Sequence, residues 1–264
     1  MKRYNGALLY AAMTLSTAPA EPAVPTLSIV VPIFNEAMRL EGTLPQFVSY
    51  LQTAPFTSEL VVVDDGSGDG TAAMAAQLVP DGIGRVLEEP HRGKGGAVRA
   101  GMRASRGRYR IFMDVDLATP LEFVVPCLAR LEAGCDVVIG SRRLAAAQIE
   151  RHQAPLREFL GRGFSLLSRT ISGVRVSDFT CGFKGFSSEA ADAIFSRLRL
   201  DDWSFDTELL FLASALGLRV EELPVRWRDD ARTKVRLGRD IVSSLSGLIA
   251  IRVNQLAGRY NLPP

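Results

Sequence analysis

Tyr109-Arg110-Ile111-Phe112-Met113-Asp114-Val115-Asp116 is an apolar run closed by two carboxylates one residue apart. A short apolar run bounded by turn-like residues reads as a buried strand, which sets the aspartates at its carboxyl end. Open α/β sheets bind their ligands along that edge. Two carboxylates so placed are hard oxygen donors that suit Mg²⁺ or Mn²⁺ held against a substrate phosphate. Alone, the pair reads more readily as solvated or helix-capping carboxylates; its neighbours decide.

On both sides of it, strand and helix patterns alternate from Leu27 to Ser141, the sign of a parallel sheet covered on both faces. Strands are expected at 27–31, 60–63, 85–87, 109–113 and 136–139, and helices at 39–51, 71–78, 94–104 and 120–133. Beyond Arg142 the pattern loosens. Residues 144–155 carry no periodic signal and read as loop, and 156–172 read as an Arg-studded amphipathic helix. A strand at 183–186, helices at 188–197 and 205–216 and a strand at 219–225 follow. From Ile241 to Tyr260 apolar residues recur at helical spacing. They serve either core packing or, with Arg239, Arg252 and Arg259 nearby, a helix lying in a membrane interface.

The 264 residues suffice for one large domain. It is expected over 27–237, between a flexible leader at 1–26 and the amphipathic helix at 238–264. A net charge of +2 is too small to argue for nucleic acid. Cys127, Cys135 and Cys181 lack metal-ligand spacing, and their odd number fits a reducing compartment. His91 and His152 are the sole histidines, which argues against a histidine-ligated metal. No uninterrupted apolar stretch reaches the ~18 residues of a membrane span. Lys2-Arg3, the segment 6–15 and Ala18-Pro19-Ala20 imitate a short signal peptide. A disordered lead-in and a misplaced start are the competing readings, and the motifs downstream favour these.

The loops carry the chemistry. Asp64-Asp65, followed by Gly66, Gly68 and Gly70, makes a tight acidic turn into a helix. Its carboxylates suit the N–H edge of a base or ribose hydroxyls, while Asp69 and Thr71 also suit a helix cap. His91-Arg92-Gly93-Lys94-Gly95-Gly96 opens the next helix without P-loop spacing, so an NTPase is disfavoured, although Lys94 is well placed to meet a diphosphate. No G-x-G-x-x-G opens a helix after a strand and no G-x-S-x-G occurs. Dehydrogenase and serine-hydrolase readings have no support.

Val31-Pro32-Ile33-Phe34-Asn35-Glu36, Val63-Asp64-Asp65-Gly66-Ser67-Gly68-Asp69-Gly70-Thr71, Gly93-Lys94-Gly95 and Asp114-Val115-Asp116, in that order, resemble the family-2 glycosyltransferases of the GT-A fold. Gly140-Ser141-Arg142, Arg157, Asp178-Phe179-Thr180-Cys181-Gly182-Phe183-Lys184, Trp203-Ser204-Phe205-Asp206-Thr207-Glu208-Leu209-Leu210 and Pro224-Val225-Arg226-Trp227 look like the polyprenyl-phosphate glycosyltransferases. Among these the dolichyl-phosphate β-glucosyltransferase pattern is nearest. The resemblance covers about 27–237. It departs at Ala118, where mannose-transferring relatives place a metal-holding Gln, and at Arg232-Thr233-Lys234, where a Gly-Ser-Lys is usual.

The resemblance implies a Rossmann-like mixed α/β sheet of GT-A type, flanked by helices and followed by the amphipathic C-terminal region. It implies inverting transfer of a sugar, most readily glucose from UDP-glucose, to a polyprenyl phosphate. It places the metal, Mg²⁺ or Mn²⁺, on Asp114 and Asp116. Pro32, Phe34, Glu36, Asp64, Asp65, Lys94, Val115, Arg232 and Lys234 join the acidic pair at the nucleotide sugar. Arg142 and Arg157 hold the acceptor phosphate, with Asp178 and Glu208 on the acceptor side and Lys234 among the catalytic groups. The protein is expected to be peripheral on the cytosolic membrane face, with a homo-oligomer or membrane-protein partner open. Another sugar, a non-lipid acceptor, or a non-catalytic nucleotide-sugar-binding partner of a membrane transferase are the alternatives.

Overall fold

Seven strands share one sheet in a computed structural model of the chain, which describes residues 24–151, 155–229 and 237–262, apart from the side chains of 155–157, 159 and 237–244. In chain order the first half runs β1 (Leu27–Ile33), α1 (Ala37–Thr53), β2 (Ser58–Asp64), α2 (Thr71–Leu78), β3 (Gly84–Glu88), α3 (Lys94–Ala104), β4 (Tyr109–Met113), α4 (Val124–Glu132) and β5 (Val137–Ser141). The second half runs β6 (Gln148–Arg151), α5 (Pro155–Ser172), β7 (Phe183–Ser187), α6 (Ser188–Phe195), α7 (Phe205–Ala215), β8 (Val220–Pro224), β9 (Arg226–Arg228) and α8 (Leu237–Leu256). The sheet order is β3-β2-β1-β4-β7-β5-β8. All neighbours are parallel except β7, which runs antiparallel between β4 and β5.

Side-chain alternation along the strands builds two cores. Ile29, Val31, Leu60, Val62, Ile111 and Met113 face one way, onto Leu40 and Phe47 of α1 and Val124 and Leu128 of α4. Val30, Val61, Val63 and Phe112 face the other way, onto Val98 of α3, Ile194 of α6, Leu209 of α7 and Ile251 of α8. Strands buried on both faces read as continuous apolar runs, which is why β1, β2 and β4 were conspicuous in the sequence. The same alternation carried past β4 sends Val115 into the first core. Asp114 falls on the Phe112 side, toward α3 and α7.

One expectation fails. Residues 144–155 are not all loop: Gln148–Arg151 pairs in parallel with Arg226–Arg228 in a separate two-stranded ribbon. Four largely exposed residues with one apolar member carry no period-2 signal, so the strand exists through its partner alone. The ribbon also touches the turn that follows β4, since the Arg228 N–H donates to the Ala118 carbonyl at 3.0 Å. The last helix is displaced toward the N-terminus of its expected span and stops at Leu256, before a turn at Gly258 with φ 65°. Among the described residues no helix is long and apolar enough to cross a membrane.

Candidate active site

Where β4 ends, the backbone turns sharply. The Asp114 N–H donates to the Gly182 carbonyl at 3.0 Å, and the Leu117 N–H donates to the Asp114 carbonyl at 3.2 Å. Leu117 adopts φ 53°, the left-handed region that a bulky L-residue seldom enters. Such backbone persists where surrounding contacts over-determine it and clusters at functional sites. Asp116 accepts the Ala118 N–H at 3.0 Å. A narrow cleft opens here, lined by Met113, Asp114, Ala118, Thr119, Gly182 and Trp227.

Lys94, the first residue of α3, sets its ammonium 2.5 Å from Asp114 Oδ1. Burial works against that charge, but Asp114, then Asp206 and Asp116, outweigh it and hold the Lys94 pKa above the usual range. The pair of aspartates is still short of positive charge. Burial first, and the Asp114 charge second, push Asp116 up to about 6, against the Ala118 N–H, Lys94 and Arg39. The N–H groups at the start of α3 are committed elsewhere, because Gly95 and Gly96 donate to the Asp201 carbonyl at 2.8 and 3.3 Å. Positive charge at this helix start therefore comes from the Lys94 side chain, which also lies 5.5 Å over the Trp203 ring.

Behind Lys94 lies a second ion pair. Lys184 of β7 is fully buried, and its Nζ is 2.5 Å from Asp206 Oδ1 and 2.7 Å from the Cys181 carbonyl. Both residues lay inside recognisable motifs, but no spacing rule pairs a strand lysine with a helix aspartate 22 positions away. Arg39, another group without an expected role, bridges Glu36 at 2.6 Å and acts on Asp116. Its i,i+3 spacing from Glu36 at a helix start was the available signal.

On the other flank Asp178 is fully buried and grips Arg142 in bidentate fashion, with Nε at 2.7 Å and Nη2 at 2.8 Å. The Arg142 backbone N–H also donates to Asp178 at 3.1 Å, and Nη2 donates to Thr180 at 2.9 Å. Burial would raise the Asp178 pKa, but the Arg142 charge and its hydrogen bonds override it and hold the carboxyl well below the usual range. The guanidinium lies 5.2 Å over the Trp227 ring. Glu208 sits apart from this flank. It is buried and accepts from the Arg199 and Leu200 N–H groups and, at 2.6 Å, from the Tyr260 hydroxyl, so it ties the segment after α8 to α7.

The expected nucleotide side gathers at the ends of β1 and β2. Asp64 accepts from the Ser67 N–H at 2.9 Å and from its hydroxyl, and Asp65 accepts from the Arg92 and Gly93 N–H groups at 2.8 and 2.9 Å. Asp65 also contacts His91 Nδ1 at 2.8 Å, and His91 stacks on Phe34 with centroids 4.3 Å apart. Both carboxylates thus shape the acidic turn and the loop that delivers Lys94. Pro32 is paired with Val63 and half-buried. Arg157 lies in α5, but its side chain, like Arg232 and Lys234 entirely, falls outside the described residues.

A mixed sheet with one antiparallel insertion and an acidic pair at the carboxyl end of a central strand defines a GT-A architecture. The fold agrees with the solved glucosyl-3-phosphoglycerate synthase from Mycobacterium tuberculosis. Its UDP complex is 22% identical, with a TM-score of 0.63 over 91% of this chain and 82% of that one. Another structure of that enzyme holds Mn²⁺, UDP and glucosyl-3-phosphoglycerate. Residues 28–195 match the domain Glycosyl transferase family 2. The chain belongs to that family and is a glycosyltransferase. Its relatives include dolichyl-phosphate beta-glucosyltransferases from Drosophila melanogaster, 36% identical over 89% of this chain and 77% of that protein, and from Homo sapiens, 32% identical over 89% and 78%. The Dictyostelium discoideum enzyme of the same name is 31% identical over 89% of this chain and 76% of its own length.

Proposed function

We propose that this protein transfers glucose from UDP-glucose to a dolichyl-type polyprenyl phosphate and yields a β-linked lipid-phosphate sugar. The likeness to dolichyl-phosphate beta-glucosyltransferases across 89% of the chain is the observation that carries it. The acceptor, a phosphate monoester with a second pKa near ~6, is largely dianionic at neutral pH. It needs no general base, in keeping with a cleft that contains no histidine among its lining residues.

Asp114 and Asp116 fit a divalent cation by their chemistry. They are hard oxygen donors at a strand end, and burial first and the Asp114 charge second disfavour the ionised Asp116, a cost that a bound cation offsets. Among the described residues no third acidic, Cys or His side chain joins them, so further ligands would be donor phosphates and water. Mg²⁺ or Mn²⁺ bound there would neutralise charge on the departing nucleoside diphosphate. Lys94 keeps Asp114 oriented and adds positive charge on the same side. Asp178 holds Arg142 by its Nε–Nη2 edge, and the guanidinium charge so fixed receives the acceptor phosphate together with Arg157. Lys234 and Arg232 are assigned to the donor diphosphate, and Phe34, Glu36, Asp64 and Asp65 to the nucleotide pocket.

The protein works at the cytosolic face of a membrane. Leu245, Ile249, Val253 and Leu256 form an exposed apolar stripe along α8, 41–88% accessible, and Leu166 of α5 is 65% accessible. Arg162 and Arg169 are exposed on α5 and Arg259 on the turn after α8, a composition suited to anionic lipid. The test is transfer from radiolabelled UDP-glucose to a short polyprenyl phosphate, extracted into organic solvent, with GDP-mannose as the rival donor. Label recovered in lipid from UDP-glucose supports the reading; transfer from GDP-mannose alone, or none, overturns it.

A further inference from the structure

Asp206 stands at the start of α7, 2% exposed, and is absent from the lining of the cleft, yet a chain of contacts and a charge interaction link it to Asp114. The first runs through β7. Lys184 Nζ lies 2.5 Å from Asp206 Oδ1 and donates to the Cys181 carbonyl at 2.7 Å. The next residue, Gly182, accepts the Asp114 backbone N–H at 3.0 Å. The Asp114 carboxylate also fills the space a Cβ on Gly182 would take, so that any side chain there would collide with it. The charge interaction runs through Lys94 at the start of α3. Lys94, 2.5 Å from Asp114 Oδ1, feels the Asp206 charge second only to that of Asp114 itself.

A pure stability role suits this pair poorly. Part of its surroundings is apolar: Phe112 lies 5.4 Å from the Lys184 ammonium, and Phe205, next to Asp206 in the chain, is fully buried. Replacing a buried ion pair in such a place by apolar side chains is often neutral or stabilising. What an apolar pair cannot supply is the donor to Cys181 and the negative charge behind Lys94. We propose that Asp206 is a positioning residue of the glycosyl-transfer site, fixing Lys184 and Lys94 so that Asp114 presents its carboxylate where donor phosphate and metal are to be held.

This rests on the reading of Asp114 as a metal and donor ligand, and not on which sugar or acceptor is used. The test compares Asp206→Asn with the double variant Lys184→Met/Asp206→Leu. Melting temperature is read first. Binding of UDP (or GDP, should the wild type prefer it) is then titrated calorimetrically with Mn²⁺ present and absent. The double variant is expected to melt no lower than wild type while its Mn²⁺-dependent nucleotide affinity falls roughly 10–100-fold, the range for groups that orient metal ligands. Asp206→Asn should show the same loss, and metal-independent nucleotide affinity should change little. A double variant that folds and binds Mn²⁺ and nucleotide as wild type does would overturn the proposal. So would loss of fold in both variants, because the pair would then be holding the core. Failure of the glucosyl-transfer reading appears separately, as wild-type protein that binds Mn²⁺ and nucleotide but makes no lipid-linked glucose.

Discussion

Adding one methyl group at Gly182 tests the placement of Asp114 without touching any charge. A Cβ there would lie 2.8 Å from Asp114 Oδ1 and closer still to Cγ and Oδ2, whereas ordinary contact begins at 3.4 Å. Gly182 has no positive φ, so alanine strains the backbone little and the collision falls on the carboxylate. That carboxylate must retreat by on the order of 1 Å, a displacement that costs about 10²-fold in rate at a reacting centre. At 1.36 kcal/mol per tenfold this is about 2.7 kcal/mol of transition-state stabilisation. The 2.5 Å contact with Lys94 breaks at the same time. Fold stability should suffer less, toward the low end of the ~1–3 kcal/mol of overpacking, because the obstructing group is the end of a partly exposed side chain. The assay is steady-state transfer at saturating acceptor, with metal titrated and the melting temperature measured beside it. Gly182→Ala that is folded and keeps wild-type kcat and metal dependence would refute the importance of this placement of Asp114.

Asp178→Asn should destabilise the protein by about 3–5 kcal/mol, the cost of stripping one partner from a buried ion pair, read by urea denaturation at neutral pH. Because the folded Asp178 pKa is depressed, its contribution is present above the unfolded value of ~3.9 and is lost as pH falls below that; the gap between the two proteins should narrow in acid, and a constant gap would contradict the pairing. Asp116, with its pKa pushed up to about 6, should take up a proton in competition with metal, so Mn²⁺ affinity should fall below that pH in calorimetry. Tyr260→Phe removes one donor from buried Glu208 and should cost about 1–3 kcal/mol in denaturant titration with kcat unchanged; a large fall in kcat would give Glu208 a role beyond holding the C-terminal turn. Ile249→Glu with Leu256→Glu alters exposed positions and should leave stability within about 0.5 kcal/mol, while co-sedimentation with anionic vesicles is lost; unchanged vesicle binding would move the membrane contact elsewhere.

Much of this was legible in the sequence because strands buried on both faces announce themselves, as 27–33, 58–64 and 109–113 do. The acidic pair could be placed at a strand end for the same reason. The insertion of β7 between β4 and β5 was not legible: Phe183–Ser187 reads as a strand, but its neighbours are set by packing across more than 40 residues of chain. The ribbon of Gln148–Arg151 with Arg226–Arg228 escaped because short exposed strands lack a periodic signal. At the site, residue type marked Asp64, Asp65, Asp178 and Glu208 as important without separating ligand contact from loop-building. Their partners separate them: backbone N–H groups around Asp64 and Asp65, a guanidinium at Asp178, a tyrosine hydroxyl at Glu208. Lys184 and Asp206 pair only in three dimensions.

The most direct measurement is an anomalous-scattering crystal structure with Mn²⁺ and UDP. The account predicts a single strong anomalous peak within about 2.0–2.3 Å of carboxylate oxygens of Asp114 or Asp116 and in contact with the UDP diphosphate, since Mg²⁺-like ions bind oxygen at close to that distance. UDP bound with no metal at the acidic pair, or Mn²⁺ coordinated elsewhere in the protein, would contradict it.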